Sequence, residues 1–381
     1  MKIRTGSMMF VVCAFAALLF PLQLSAQGHW PTRGFPGPQI IEFDAPDAGT
    51  ASGLGTTPYA NNDECAIVGT YVDANMVYHG FLRTPDGKFI SFDAPGASAV
   101  AGTGTLAYSI NDFGVIAGVV DDASNLSHGF VRYPDGHFTT FDAPGAGTAS
   151  GLGTLAYNLN LLGTISGEYF DANDISHGFV RWFDGHITTF DAPEASPTGQ
   201  GTFVCTDTCI NLEGAVTGYY YDADNGVHGF IRSGDGHFTE IDAPGASPAP
   251  FNGTLGSSIN QEGTVAGYFV DSNSVAHGFV RTRDGVFTTI DDPDASTANG
   301  EGTGVFSINF FGASTGLYFD VNSAMHGFSR SPSGTFTPID APDGGTGNSQ
   351  GTQPSTNNAE GEVVGWYIDG NNVSHGFLWR P

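Results

Sequence analysis

Seven of the 11 histidines open the tripeptide His-Gly-Phe, at His79, His128, His177, His228, His277, His326 and His375. Imidazole is the side chain best suited to hold a metal or move a proton near neutral pH. Fourteen positions after all but the last stands an aspartate: Asp93, Asp142, Asp191, Asp242, Asp291 and Asp340. The seventh aspartate of this type is Asp44, so its partner would be the last histidine, His375. An Asp-Gly turn near the midpoint in most copies sets His128 almost opposite Asp142 on neighbouring strands. A His–carboxylate hydrogen bond there fixes register, and charge strengthens it. A pair repeated in every copy is expected to be structural, because an active site needs asymmetry.

A second oxygen-rich pattern precedes each histidine. Asp73 and Asn75, Asp171 and Asn173, Asp271 and Asn273, Asp320 and Asn322, and Asp369 and Asn371 all read Asp-x-Asn. The fourth copy has Asp222 and Asp224, and the second has Asp122 and Ser124. Clustered carboxylate and amide oxygens suit Ca²⁺, which takes six to eight of them. The same residues also build Asx-turns, which is the reading expected here. Calcium is the one cofactor the pattern would suit, and no other is expected.

Arg83, Arg132, Arg181, Arg232, Arg281 and Arg330 each follow a histidine by four positions. Partly buried arginines need partners, and acids between copies are expected to supply them. Chemistry should concentrate where copies differ. Cys205-Thr-Asp-Thr-Cys209 lies in the one longer copy, whose two extra residues allow a bulge. A disulfide is expected there. Glu168 replaces the apolar residue usual at its position, and Glu213 follows Cys209. Two carboxyls can serve glycoside chemistry if their spacing fits. His137, His186 and His237 follow Asp-Gly turns and read as surface residues. No Gly-x-Ser-x-Gly, His-Glu-x-x-His or phosphate-binding loop is present, so no catalytic residue is assigned.

These residues are placed by a repeat. The His-Gly-Phe spacings are 49, 49, 51, 49, 49 and 49, and Asp-Ala-Pro, or Asp-Asp-Pro at Asp291, also occurs seven times. A period this long marks a solenoid, propeller or array. The second copy shows four strands, expected at 105–111, 115–120, 128–133 and 137–141, with Gly- and Asp-rich turns between them. Proline at 144 stops the fourth, and a linker of about a dozen small residues follows. Three short turns and one long connection per four strands predict a propeller. The last copy ends at 375–381 without a fourth strand, and 39–44 is a fourth strand without its first three. An all-β, seven-bladed β-propeller of four-stranded antiparallel blades follows, closed by the N-terminal strand completing the last blade. By strand order, the Asp-rich loops and the linkers leave one common face.

Ile110-Asn111-Asp112-x-Gly114-x-Ile116-x-Gly118, then His128-Gly129-Phe130 and Asp135-Gly136, resembles the HAF-type extracellular repeat of bacteria. The likeness spans nearly the whole mature chain. Two features depart from it: glycine stands for the middle alanine, and the period is longer. The resemblance implies export and a propeller-like fold, and carries no activity with it.

Lys2 and Arg4 precede an apolar run from Met8 to Phe20, and Leu24-Ser25-Ala26 offers a cleavage site. The division expected is 1–26 signal peptide, 27–38 lead-in and 39–381 one propeller domain. The formal net charge of −27 repels phosphate backbones and anionic lipid, which excludes nucleic acid and membrane adsorption as partners. No later segment could cross a bilayer as a helix, and a monomer is expected. The reading that follows is a secreted, non-catalytic module whose loop-rich face binds a polysaccharide or protein. A carbohydrate hydrolase or lyase, with calcium as an aid to its chemistry, is the second reading, and a structural envelope protein the third.

Overall fold

A computed structural model describes residues 37–381, so the expected signal peptide and most of the lead-in lie outside the described residues. Among those described there are 28 strands and no helix. In the second repeat the strands are Thr105–Ile110, Ile116–Asp121, Ser127–Arg132 and Phe138–Phe141, each within a residue of its predicted place. They pair antiparallel in sequence order. The third repeat has the same plan in Gly153–Leu159, Ile165–Phe170, Ser176–Arg181 and Ile187–Phe190. The number of strands fits seven such four-stranded units.

The unit that ends the chain contains Gly351–Asn357, Val363–Ile368 and Ser374–Arg380, and its fourth member is Gln39–Phe43. Gln39 lies opposite Arg380, and Phe43 lies opposite Gly376. The edge that Ser374–Arg380 would otherwise expose is thereby covered. A parallel bridge joins each repeat to the next, as at Ser127 with Gly153, and one joins Ser374 of the last repeat to Gly55 of the first.

His-Gly-Phe is a packing device. Phe179 is fully buried, as are its counterparts from Phe81 to Phe377. In an extended strand the neighbouring glycine faces the other side, where Phe190 of the fourth strand lies across it. A Cβ at Gly178 would come within 2.3 Å of that ring. Alanine does not fit without displacing that ring, which accounts for glycine at this position. Gly167 on the second strand plays the matching part beneath Phe179, where a Cβ would meet the Leu155 carbonyl oxygen at 2.1 Å. Truncating such a phenylalanine to alanine ordinarily costs about 3–5 kcal/mol.

The Asp-Ala-Pro segment is anchored too. The Ala143 amide donates to the buried Thr154 hydroxyl at 2.9 Å, and the same bond recurs between Ala45 and Thr56 and between Ala341 and Thr352. The fourth repeat departs from the others. Its first strand is only Thr202–Val204, and the chain then bulges through Cys205 and Cys209 before rejoining at Ile210.

The arginines correct the sequence reading. Instead of pairing with acids, they lie over phenyl rings. Arg132 Cζ sits 4.9 Å from the Phe92 ring centroid, Arg181 4.9 Å from Phe141, and Arg83 4.7 Å from Phe43. Each ring belongs to the preceding unit, so the contact joins neighbours as a cation–π pair. Where that ring is replaced by Ile241 or Ile290, Arg281 and Arg330 cover Phe287 and Phe336 of their own repeats at 5.8 and 5.9 Å. Among the described residues, the Arg380–Glu362 pair at 2.8 Å is the sole arginine ion pair.

One asparagine per repeat binds neighbour to neighbour. Asn111 Oδ1 accepts from the amides of Phe113 and Val115, closing its own turn, while Nδ2 donates to the Asn160 carbonyl at 3.3 Å. Asn111→Ala loses both functions and should cost about 1–3 kcal/mol. Asn111→Asp keeps the turn acceptor and loses the donor. Urea unfolding of both separates the two, and a neutral Asn111→Asp would mean the bond between repeats contributes nothing.

Candidate functional site

The seven predicted His–Asp pairs all lie within hydrogen-bond distance. Nδ1 approaches Asp93 at 2.9 Å from His79, Asp142 at 2.8 Å from His128 and Asp191 at 2.7 Å from His177. The remaining pairs, through His375 with Asp44, span 2.8–3.1 Å. On the other ring nitrogen, the loop aspartate stands 3.8 Å away in six repeats, and Asp222 is 3.4 Å from His228. Tyr169 stacks on His177 at 4.9 Å, and five other repeats place an aromatic ring likewise. Each histidine is thus held between two carboxylates, and in all repeats but the second, where Val120 stands opposite His128, it is also stacked on a ring, an arrangement that fixes strands. Glu240 adds a further carboxylate beside His228 and Asp242, and accepts from the Tyr220 hydroxyl.

The Asp-x-Asn loops are Asx-turns. Asp171 Oδ1 accepts from the amides of Asn173 and Ile175 at 2.8 and 3.0 Å, and Oδ2 accepts from Asn173 Nδ2 at 3.1 Å. The backbone amide of Ile175 chiefly holds the Asp171 carboxyl below its ordinary pKa. A calcium ion would have to compete with these internal donors for the oxygens. The surface residues His137, His186 and His237 are exposed, as expected.

Where repeats diverge, the structure builds two adjoining spaces. Gly304 stands where Leu106, Leu155 and Leu255 stand in other repeats. Gly304 lines a cavity of about 490 Å³ between the fifth and sixth repeats. Tyr268, Phe306, Leu317 and Phe319 form apolar walls, and Asn252, Asn299 and Glu301 bring polar groups. The Ser323 hydroxyl donates to Glu301 Oε1, Oε2 makes no direct hydrogen bond, and the Ser296 and Ser323 hydroxyls hold the carboxyl below its ordinary pKa. Linker residues 299–302 and Ser274 at the rim belong to the expected loop-rich face. Sequence reasoning passed over this cavity, since one more glycine among 55 carries no signal until copies are aligned by column.

Tyr268 and Phe306 also wall a second chamber, of about 230 Å³, which contains Glu168, Asp207, Phe203 and Tyr219. Cys205 and Cys209 form a disulfide with Cα atoms 5.8 Å apart, and it holds the bulge that carries Asp207. Asn158 of the third repeat grips the same bulge, donating to the Cys205 carbonyl and accepting from the Cys209 amide. Glu168 accepts from the Tyr157 hydroxyl and from the Val204 amide, both at 3.2 Å. Burial pushes its pKa up to about 8, and that of Asp207 likewise to about 8. Glu213, the expected second carboxyl, is exposed in a turn, and Asp207 takes the place beside Glu168 instead. Sequence reading weighed the cysteines and overlooked the aspartate between them.

No protein-family model matches the chain, and no curated protein matches it. Among solved structures it is similar to a streptogramin B lyase at 18% identity, covering 90% of this chain and 97% of that one, with TM-score 0.51. It is also similar to a puromycin hydrolase at 14% identity and TM-score 0.50, covering 84% of this chain. The match spans about half of that hydrolase, 51% of its length. The fold is that of a β-propeller. Identities this low speak for the fold alone, so the blades' chemistry must be read from their own residues.

A carboxyl whose folded-state pKa is raised stabilises the propeller while protonated. Its contribution is whole below the unfolded value of 4.5 for Glu168 and is lost as pH climbs through about 8. Thermal stability should therefore fall between those limits, with Asp207 adding to the decline. Glu168→Gln should flatten the curve. Melting at both ends of this range tests it, and an equal fall in wild type and variant would exclude Glu168 as a source.

Proposed function

We propose that the chain is an exported, non-catalytic seven-bladed propeller whose loop-rich face binds a polysaccharide, part of which occupies the cavity beside Gly304. Closure of the ring is supported by the pairing of Gln39–Phe43 with Ser374–Arg380 and by the Gly55–Ser374 bridge. Export rests on the charged and apolar N-terminal segment, and the single-domain boundary at 39–381 on the repeat itself.

The observation that carries the binding reading is the make-up of the cavity. Sugars present C–H faces that pack on aromatic rings and hydroxyls that need directed polar partners. Tyr268, Phe306 and Phe319 supply the rings, and Asn252, Asn299 and Glu301 supply amide and carboxylate groups. Glu301 Oε2 makes no direct hydrogen bond of its own, and with Ser296 and Ser323 beside the carboxylate it offers an acceptor to a ligand hydroxyl. The charge of −27 favours neutral or cationic saccharides over polyanionic ones.

Gly304→Leu fills the space with the residue that three other repeats already carry, so the fold should persist. On a glycan array, the wild type should be retained without release of reducing ends, and the variant should bind at least about tenfold more weakly. Equal retention by the variant would remove the cavity from the reading. Release of new reducing ends would favour a hydrolase.

A further inference from the structure

We propose that the chamber holding Asp207 and Glu168 binds a ligand carrying a protonated amine. The site lies in the repeat whose first strand stops at Val204 and is followed by the disulfide-closed Cys205–Cys209 loop, so it occurs once among the described residues. Asp207, half-buried, lines the chamber and makes no hydrogen bond or ion pair among the described residues. Its neighbours are Glu168 and the rings of Phe203, Tyr219, Tyr268 and Phe306. Phe203 and Tyr219 lie parallel with centroids 5.2 Å apart, forming one continuous aromatic wall.

Rings and carboxyls together select the class of ligand. An ammonium group gains from aromatic faces and from a carboxylate at short range, and both gains grow when water is excluded. Ca²⁺ needs six or more oxygens and Mg²⁺ keeps its water, so neither suits a space walled by four rings. An anion would meet two acids in a strongly acidic protein. A neutral ligand could hydrogen-bond Asp207 but would gain nothing from a charge opposite its carboxylate. Thr206 next to it is exposed, which gives the chamber a way to solvent.

Binding also moves a proton. The amine enters as R–NH₃⁺, a carboxylic acid in the chamber gives its O–H proton to solvent, and the resulting carboxylate pairs with the ammonium. Burial keeps both acids largely protonated near neutrality, so complex formation releases about one proton. Affinity should rise as pH approaches about 8 from below. The inference is independent of the saccharide reading, though the two spaces share Tyr268 and Phe306.

The test uses cyclohexylammonium and cyclohexanol, two probes of nearly one shape, titrated calorimetrically in phosphate and in Tris near neutral pH. The amine should bind at least about tenfold more tightly than the alcohol, with a buffer-dependent heat equal to release of about one proton. Asp207→Asn breaks no contact within the protein, so it should fold, with a melting temperature that falls less than that of the wild type as pH rises toward about 8. It should bind the amine about tenfold more weakly and release less proton. Equal affinity for the two probes, an Asp207→Asn variant that binds like wild type, or no amine binding at all would each overturn the proposal.

Discussion

Everything in the propeller depends on how one repeat holds the next. Asn62 donates to the Asn111 carbonyl at 3.0 Å, Asn111 to Asn160, and so on through Asn211, Asn260 and Asn309 to Asn358. Asn358 then donates back to the Asn62 carbonyl at 3.2 Å. Seven bonds form a cycle with no first or last member. An amide suits this work because it accepts and donates at once, with Oδ1 closing its own turn and Nδ2 reaching the neighbour. A carboxylate lacks the donor, and a hydroxyl lacks the reach. Six of these asparagines line one depression of about 210 Å³, so the cycle surrounds a single axis.

That constraint explains why symmetry and function separate in this chain. A cycle tolerates little variation at its contacts, so histidines, loop aspartates and buried phenylalanines recur almost unchanged. They stabilise blades locally, through bonds within one repeat, and arginines stacked on the neighbouring ring add a second seam. Individually such contacts are modest. Repeated around a closed path, they leave the positions between first strands free to differ. Gly304, Glu168 and the Cys205–Cys209 bulge all lie there.

Strand positions were legible in the sequence because glycine and aspartate mark each turn and the copies vote together. The closing strand was legible too, since 39–44 matches the missing fourth strand of the last repeat. The partners of the arginines were not. Charge complementarity suggested acids, but the fourth strand places Phe43, Phe92, Phe141 or Phe190 at the seam, and register across blades decides the contact. Asn111 was visible as part of a repeated Ile-Asn pair, yet its bond spans 49 residues of sequence, and nothing local announces it. The cavity beside Gly304 shows a third kind of blindness. It lies where a side chain is missing, and composition records only what is present.

Asp207 is costly to keep. A half-buried carboxyl without a partner that is held protonated lowers stability as the medium turns alkaline, whereas an asparagine at that position would not. The protein nevertheless spends a disulfide, two extra residues and both polar ends of Asn158 to hold this bulge in place. The pairing of strands does not require it, because the other six repeats keep their first strands with a small bulge and no disulfide. An acid placed where it weakens the fold, beside a second acid and four aromatic rings, is the pattern expected of a site kept for binding.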